Sequence, residues 1–371
     1  MKVLVVFGTR PEAIKMCPLV LELEDDPEVE CIVCTTGQHR QMLDQVLEIF
    51  HVMPEHDLNI MKPGQTLTTI TASVLKSIEK VFATVQPDVV LVHGDTTTSM
   101  SAALAAFYQK IPVGHVEAGL RTYDRYSPFP EEMNRKIISA LSTYHFAPTV
   151  KNEEALLREG VREGVFVTGN TVIDSFKYTV SADHVYKNPL LQAYDFSKPT
   201  VLLTAHRREN LGEPLENICR AVNQLTEQFP DLHVIYPMHL NPLVQNTARA
   251  ALGDNERCLL IDPIDVCDMH NAMNESVLVM TDSGGLQEEA PHLGKPVVVL
   301  RTETERPEAV EAGTAVVAGV DTESITSTVS SILSDESRYR AMSTAINPYG
   351  DGHASERICS ILKEQLCNKA Q

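Results

Sequence analysis

Short apolar runs rich in β-branched residues alternate with longer stretches of helical periodicity along this chain. That alternation is the pattern of parallel α/β sheets. The first half offers six such runs, Val3–Phe7, Cys31–Thr35, Val89–His93, Val113–Val116, His145–Ala147 and Val165–Thr168. The second half offers six more, Val201–Thr204, His233–Pro237, Cys258–Ile261, Val277–Thr281, Val297–Leu300 and Ala315–Ala318. Residues 173–199 carry no strand pattern and contain Asn188-Pro189 and Lys198-Pro199, which places a domain junction there. The expectation is an α/β protein of two Rossmann-like, doubly wound domains, residues 1–172 and 173–353. A turn-rich break, Asn347-Pro-Tyr-Gly-Asp-Gly352, precedes a helical segment, residues 354–371, placed to cross back to the first domain. Each sheet would open a crevice at the carboxyl ends of its strands, so polar residues just after the strands are the candidates for chemistry.

Composition narrows the function. At 371 residues, two cores are more natural than one. The 31 basic and 50 acidic side chains leave a net charge of −19, which argues against nucleic acid and membrane surfaces as partners. Any phosphate site must then be local, built from a few cations and backbone amides. No apolar run approaches the length of a membrane span, and the apolar start Met1–Phe7 is too short for a signal peptide. The eight cysteines are scattered, and Cys31-Ile-Val-Cys34 lies in a strand-like run that turns the two thiols to opposite faces. Reduced, mostly buried thiols in a cytoplasmic protein, without a metal or redox role, are expected.

The most informative stretch is Thr281-Asp-Ser-Gly-Gly-Leu-Gln-Glu-Glu-Ala-Pro291, a strand end, a small-residue turn and a helix start. Ser283, Gly284 and Gly285 suit close approach of backbone amides to a phosphate, with Glu288 or Glu289 accepting from ribose hydroxyls. An ordinary capped helix reads equally well. After the first strand, Arg10 and Lys15 both reach toward a helix N-terminus, against its dipole, as an anion site or as solvated surface cations. The polar loops holding Gln38, Gln41 and Gln65 are unspecific. In His93-Gly-Asp95, Asp95 suits an N-cap slightly better than a catalytic carboxylate. Glu117, at the end of a buried strand, is costly unless paired or facing a cleft. Glu131 and Arg135, four apart, can form a surface ion pair. Three carboxylates at one sheet edge are nonetheless an acid–base constellation. In the second half, His206, Arg207 and Arg208 gather donors at one strand end, His239 follows the next strand, and Arg306 lies in a later loop.

Taken together, Gly8-Thr-Arg-Pro-Glu-Ala-Ile-Lys15, His93-Gly-Asp95, His115-Val-Glu-Ala-Gly119, Ser127-Pro-Phe-Pro-Glu-Glu132, Thr204-Ala-His-Arg-Arg-Glu-Asn210 and Asp282-Ser-Gly-Gly285 closely resemble the bacterial non-hydrolysing UDP-N-acetylglucosamine 2-epimerases. The resemblance spans essentially the whole chain, in the family's order. It implies the two-domain fold of the B-type glycosyltransferases, facing a central cleft, with the last helix returning to the first domain. It also implies a homodimer and no redox cofactor or metal. The reaction implied interconverts UDP-GlcNAc and UDP-ManNAc by eliminating UDP to 2-acetamidoglucal and adding it back, in supply of surface polysaccharide.

By the same resemblance, Asp95, Glu117 and Glu131 are the acid–base residues, and His206 is a catalytically important pyrophosphate contact. Arg10 and Lys15 flank the nucleotide, and Arg135 is a further active-site position. Ser283, Gly284 and Gly285 form the phosphate turn, and Glu289 is the ribose-binding acid. A second UDP-GlcNAc, acting as effector, would draw on Gln38, Gln41, Gln65, Glu131 and His239. A hydrolysing 2-epimerase, a glycosyltransferase of the same fold and a nucleotide-sugar sensor are the rival readings.

Overall fold

The computed structural model describes residues 1–37, 40–62 and 64–367, without the side chains of Arg40, Gln41 and Cys367. The chain divides into two compact units, Met1–Tyr178 with the segment from Tyr349 onward, and Thr179–Pro348. No helix among the described residues is long and apolar enough to cross a membrane.

The first unit holds β1 (Lys2–Phe7), β2 (Glu30–Thr35), β3 (His56–Asp57), β4 (Val89–His93), β5 (Val113–Val116), β6 (Tyr144–Ala147) and β7 (Val165–Val167). They form one sheet in the order β3-β2-β1-β4-β5-β6-β7, parallel at every pairing. The sequence predicts six strands here, and the structure has seven among the described residues. The addition is β3, whose two residues are too few to show any periodicity.

Successive residues of β1 feed opposite cores. Val3, Val5 and Phe7 join the helix Arg10–Asp25, while Leu4 and Val6 join the helices Leu67–Val85 and Thr97–Tyr108. Burial on both faces is why these strands read as unbroken apolar runs. Cys31 and Cys34 likewise part to the two sides, both as free thiols.

The final helix, Ala354–Cys367, belongs to this unit. Its first amides, on Ala354 and Ser355, donate to the buried Asp174 carboxylate at 3.2 and 2.7 Å, and Ile358 and Leu362 enter the core. Burial raises the Asp174 carboxyl above its usual range, against the bonds from Ser355 and Ala354 that lower it.

The second unit holds β8 (Thr200–Thr204), β9 (His233–Pro237), β10 (Cys258–Ile261), β11 (Leu278–Thr281), β12 (Val297–Val299) and β13 (Ala315–Val317). Their order is β10-β9-β8-β11-β12-β13, again parallel at every pairing. In both sheets the strand order reverses at one place, between β1 and β4 and between β8 and β11. Ligands of doubly wound sheets bind at such switch points, beyond the carboxyl ends of the strands.

Candidate active site

In the first unit, the loops after β1 and β4 flank the switch point and share one buried carboxylate. Thr9 caps the helix Arg10–Asp25 and Pro11 stands in its first turn, where a missing N–H costs nothing. Glu12 completes the capping box, accepting from the Gly8 and Thr9 amides at 3.0 and 2.8 Å. It also accepts from the hydroxyls of Thr96 at 2.7 Å and Ser99 at 2.8 Å, beyond β4. Burial raises its carboxyl above the usual range despite these bonds. Thr96, not Asp95, caps the helix Thr97–Tyr108, accepting from the Ser99 amide. The shift by one residue leaves the Asp95 side chain available for other work.

Asp95 meets Arg135. Arg135 Nε donates to Asp95 Oδ2 at 2.9 Å and Nη2 lies 2.7 Å from the same oxygen. Arg135 also donates Nη1 to the fully buried Glu132 at 3.2 Å, and Glu132 is fixed by the Thr122 and Tyr123 amides. Asn134 donates to the Asp95 carbonyl at 2.8 Å. The ion pair expected between Arg135 and Glu131 is therefore replaced by one with Glu132 and Asp95, because Glu132 is on the buried side of the helix Glu131–Leu141. Glu131 opens that helix, and its Oε2 is buried with no hydrogen-bond partner.

Glu117 follows β5 in the left-handed region, at φ 63°. A non-glycine residue held there carries strain of about 1–3 kcal/mol, which persists only where the surroundings fix it. Lys15 supplies an ion pair, and Asn170 Nδ2 donates to Oε1 at 3.0 Å. His93 Nε2 stands 3.5 Å from Oε2, and a Cβ on Gly94 would meet the same oxygen at 3.3 Å. Burial lowers the His93 ring to about 4, with Glu117 raising it and Lys15 lowering it. His93 is therefore neutral at physiological pH. Behind it, His115 meets the Gly94 carbonyl at 2.7 Å through Nε2, which must carry the proton. Burial pushes that ring down to about 3. Lys15 is thus committed to a carboxylate rather than standing as a lone cation at the helix N-terminus. Arg10 is the first residue of the same helix.

In the second unit, the loops after β8 and β11 are joined through Asp282, which is fully buried. Its Oδ2 accepts from the His206 and Arg207 amides at 2.7 and 2.8 Å and from Asn210 Nδ2 at 3.0 Å. The His206 ring stacks on His239, centroids 5.4 Å apart and planes 14° from parallel. His206 Nδ1 lies 3.7 Å from Asp282 Oδ1. Burial lowers the His206 pKa, Asp282 raises it, and His239 and Arg207 lower it further. His239 accepts at Nδ1 from the Asn241 amide, 3.1 Å away.

The turn Ser283-Gly284-Gly285 opens the helix Gly284–Glu289, with Ser283 in the cap position but making no side-chain capping bond. A Cβ on Gly284 would lie 3.7 Å from the Arg306 guanidinium and 3.8 Å from that of Arg207. Two guanidiniums therefore border the turn, Arg306 anchored by Glu288 and Arg207 by the Asp282 carbonyl at 3.1 Å. A Cβ on Gly285 would meet Glu289 Oε1 at 3.1 Å. The two adjacent glutamates part company here. Glu288 is buried in its ion pair, while Glu289 keeps partial exposure beside the turn.

Of the residues named for an effector, Gln65 donates to the Ile60 carbonyl at 2.7 Å and accepts from the Lys62 amide at 3.0 Å. Gln38 lies outside the described residues, as does the side chain of Gln41. Sequence reasoning gave no role to Asn170, His270 or Thr179. Each draws its meaning from a partner 53 or 91 residues away, a distance at which no local spacing signals contact.

The profile of the UDP-N-acetylglucosamine 2-epimerase family matches residues 21–363. The UDP-N-acetylglucosamine 2-epimerase of Bacillus subtilis (strain 168) is 54% identical over 359 residues, covering 96% of this chain and 94% of that one. Among solved structures, UDP-GlcNAc 2-epimerase from Neisseria meningitidis, bound to UDP-GlcNAc, is 47% identical with a TM-score of 0.89, covering 98% of this chain and 100% of that one. The S. aureus MnaA structure with UDP is 49% identical with a TM-score of 0.89, covering 98% and 96%. Matched over nearly its whole length and in both sheets, this chain belongs to the UDP-N-acetylglucosamine 2-epimerase family.

Proposed function

We propose that this protein interconverts UDP-GlcNAc and UDP-ManNAc without hydrolysis. The C2–H of the sugar is not acidified by a carbonyl, so direct removal of that proton is difficult. Elimination solves the problem. A carboxylate takes the C2 proton as the C1–O bond breaks, and UDP leaves with the electron pair, giving 2-acetamidoglucal. A proton returned to the opposite face of C2, with UDP oxygen adding again at C1, completes the inversion.

The observation that carries this reading is the paired arrangement of the first unit. Glu117 is paired with Lys15 and Asp95 with Arg135, so two carboxylates are held in place in neighbouring loops. Glu131, with a buried oxygen that lacks a partner, is the third proton carrier. In the second unit, Arg207 and Arg306 beside Gly284 supply charge for the departing pyrophosphate, with His206 as a further contact. Glu289 takes the ribose, and Arg10 flanks the nucleotide. The relatives bound to UDP-GlcNAc and to UDP support a UDP-sugar as the substrate. We assign proton traffic to the first unit and UDP binding to the second.

The same reading carries a homodimer, a cytoplasmic setting, supply of surface polysaccharide and a second UDP-GlcNAc as effector. Linear UDP-GlcNAc kinetics, with no lag in the reverse direction, would count against the effector. Separation of products tests the non-hydrolysing assignment. Incubation with UDP-GlcNAc should yield UDP-ManNAc with little free sugar, whereas stoichiometric ManNAc and UDP would place the protein in the hydrolysing class.

A further inference from the structure

Behind the partly exposed Glu289 lies a buried relay that the proposed reaction does not use. His270, in the helix Val266–Glu275, is 2% exposed. Its Nε2 stands 3.3 Å from Glu289 Oε2, and its Nδ1 is 2.7 Å from the Thr179 hydroxyl. Thr179 is the first residue of the second unit, so the whole relay lies within that unit. The neighbouring Asn271 holds the segment in place, donating to the Thr179 carbonyl at 2.7 Å and accepting from the Ser181 amide at 3.1 Å.

The chemistry fixes where the ring proton sits. A neutral ring with its proton on Nδ1 would turn a bare nitrogen lone pair onto a carboxylate 3.3 Å away. The two remaining states, neutral with the proton on Nε2 or doubly protonated, both present N–H to Glu289. In the neutral one the Thr179 hydroxyl donates to Nδ1, which selects that tautomer. The contact at Oε2 orients the carboxylate, with Oε1 set toward Gly285 at the turn. An ionised carboxylate has about four acceptor sites. Spending one on His270 leaves acceptors on both oxygens for two vicinal hydroxyls.

We infer that His270, oriented by Thr179, is the positioning residue that presents Glu289 to the 2′- and 3′-hydroxyls of the nucleotide's ribose and so sets selectivity for ribonucleotides. The inference rests on the assignment of Glu289 to the ribose. Fixing the acceptor in advance makes the 2′-hydroxyl count, because a site built to bond a hydroxyl rejects the analogue that lacks it.

The test is calorimetric titration of the full chain with UDP and with 2′-deoxy-UDP. The parent should prefer UDP by about tenfold or more, the range of one hydrogen bond to a charged group. Glu289→Ala should abolish that preference. His270→Phe, which keeps the bulk and removes the donor, should reduce it to about twofold, while His270→Gln, which restores an N–H near the Nε2 position, should keep most of it. Thr179→Val preserves shape and releases the tautomer, so it should lower the preference even if His270→Phe does not fold. Loss of preference in Glu289→Ala with full preference retained in His270→Phe and Thr179→Val would overturn the relay and leave the ribose assignment standing. Unchanged preference in Glu289→Ala would sink the ribose assignment, and the relay with it.

Discussion

Arg135 brings two guanidinium nitrogens onto one oxygen of Asp95, at 2.9 and 2.7 Å, and is itself held by the buried Glu132. The carboxylate is thereby oriented through Oδ2. Lysine cannot reproduce a planar fork anchored at both ends. Arg135→Lys should lower kcat about 10- to 100-fold while leaving UDP affinity within about twofold, since a misplaced catalytic group costs rate before binding. Turnover assays beside UDP titration distinguish the outcomes. A loss of UDP affinity with kcat preserved would make Arg135 a nucleotide contact instead.

Lys15 and Glu117 form a mostly buried pair that Asn170 reinforces. Removing one partner from such a pair strands a charge, at a cost of about 2 kcal/mol once its partial exposure is allowed for. Lys15→Met should therefore destabilise the fold, and Lys15→Met combined with Glu117→Gln should recover part of the loss. Urea unfolding of the two single variants and the double variant gives the coupling. Strict additivity would show that the pair is not an energetic unit.

Gly284 has ordinary negative-φ backbone, and the space beside it borders the guanidiniums of Arg207 and Arg306 at ordinary contact distance. Alanine should fold there as well as glycine, with Tm unchanged within about 2 °C, an effect of a few tenths of a kcal/mol. Its methyl group would occupy the room assigned to a phosphate. UDP affinity should fall about tenfold or more, by loss of a charge-assisted contact. Undiminished UDP binding in Gly284→Ala would place the phosphate elsewhere.

His93, His115 and His145 are buried in three neighbouring strands, and burial pushes their rings down to about 4, about 3 and about 4. Each folded value is below that of an unfolded histidine, near about 6.5. Above about pH 6.5 neither state binds the proton and stability is level. As pH falls from there toward about 4, the unfolded chain takes up protons that the folded rings refuse, costing up to about 1.4 kcal/mol per pH unit for each ring. His145→Gln should flatten this slope by one ring's share between pH 6.5 and 4, read as the difference from the parent in denaturant unfolding. An unchanged slope would mean that His145 is protonated in the folded state.

How far the sequence foretold this arrangement depends on where each partner lies. Asp95, Glu117 and the Ser283–Gly285 turn were legible because a parallel sheet delivers the residue after each strand to one edge, whatever the distance in the chain. The role of Asp95 was blurred by Thr96, since either residue type can cap a helix and only the geometry chooses. Lys15 read as a cation awaiting an anion, because its carboxylate is 102 residues away. His270 sits in mid-helix with no motif around it, and becomes visible only when the turn of β11 folds over it. The strand β3 escaped because two residues pair through backbone alone.

The central claim is that the C2–H bond is broken and remade while the carboxylates of the first unit carry the proton. Incubation with UDP-GlcNAc in D₂O, followed at C2 by proton NMR, tests it most directly. The account predicts UDP-ManNAc carrying deuterium at C2, and no such product from Asp95→Asn despite retained UDP binding. UDP-ManNAc that keeps its original C2 proton without exchange, or full exchange by Asp95→Asn, would contradict it.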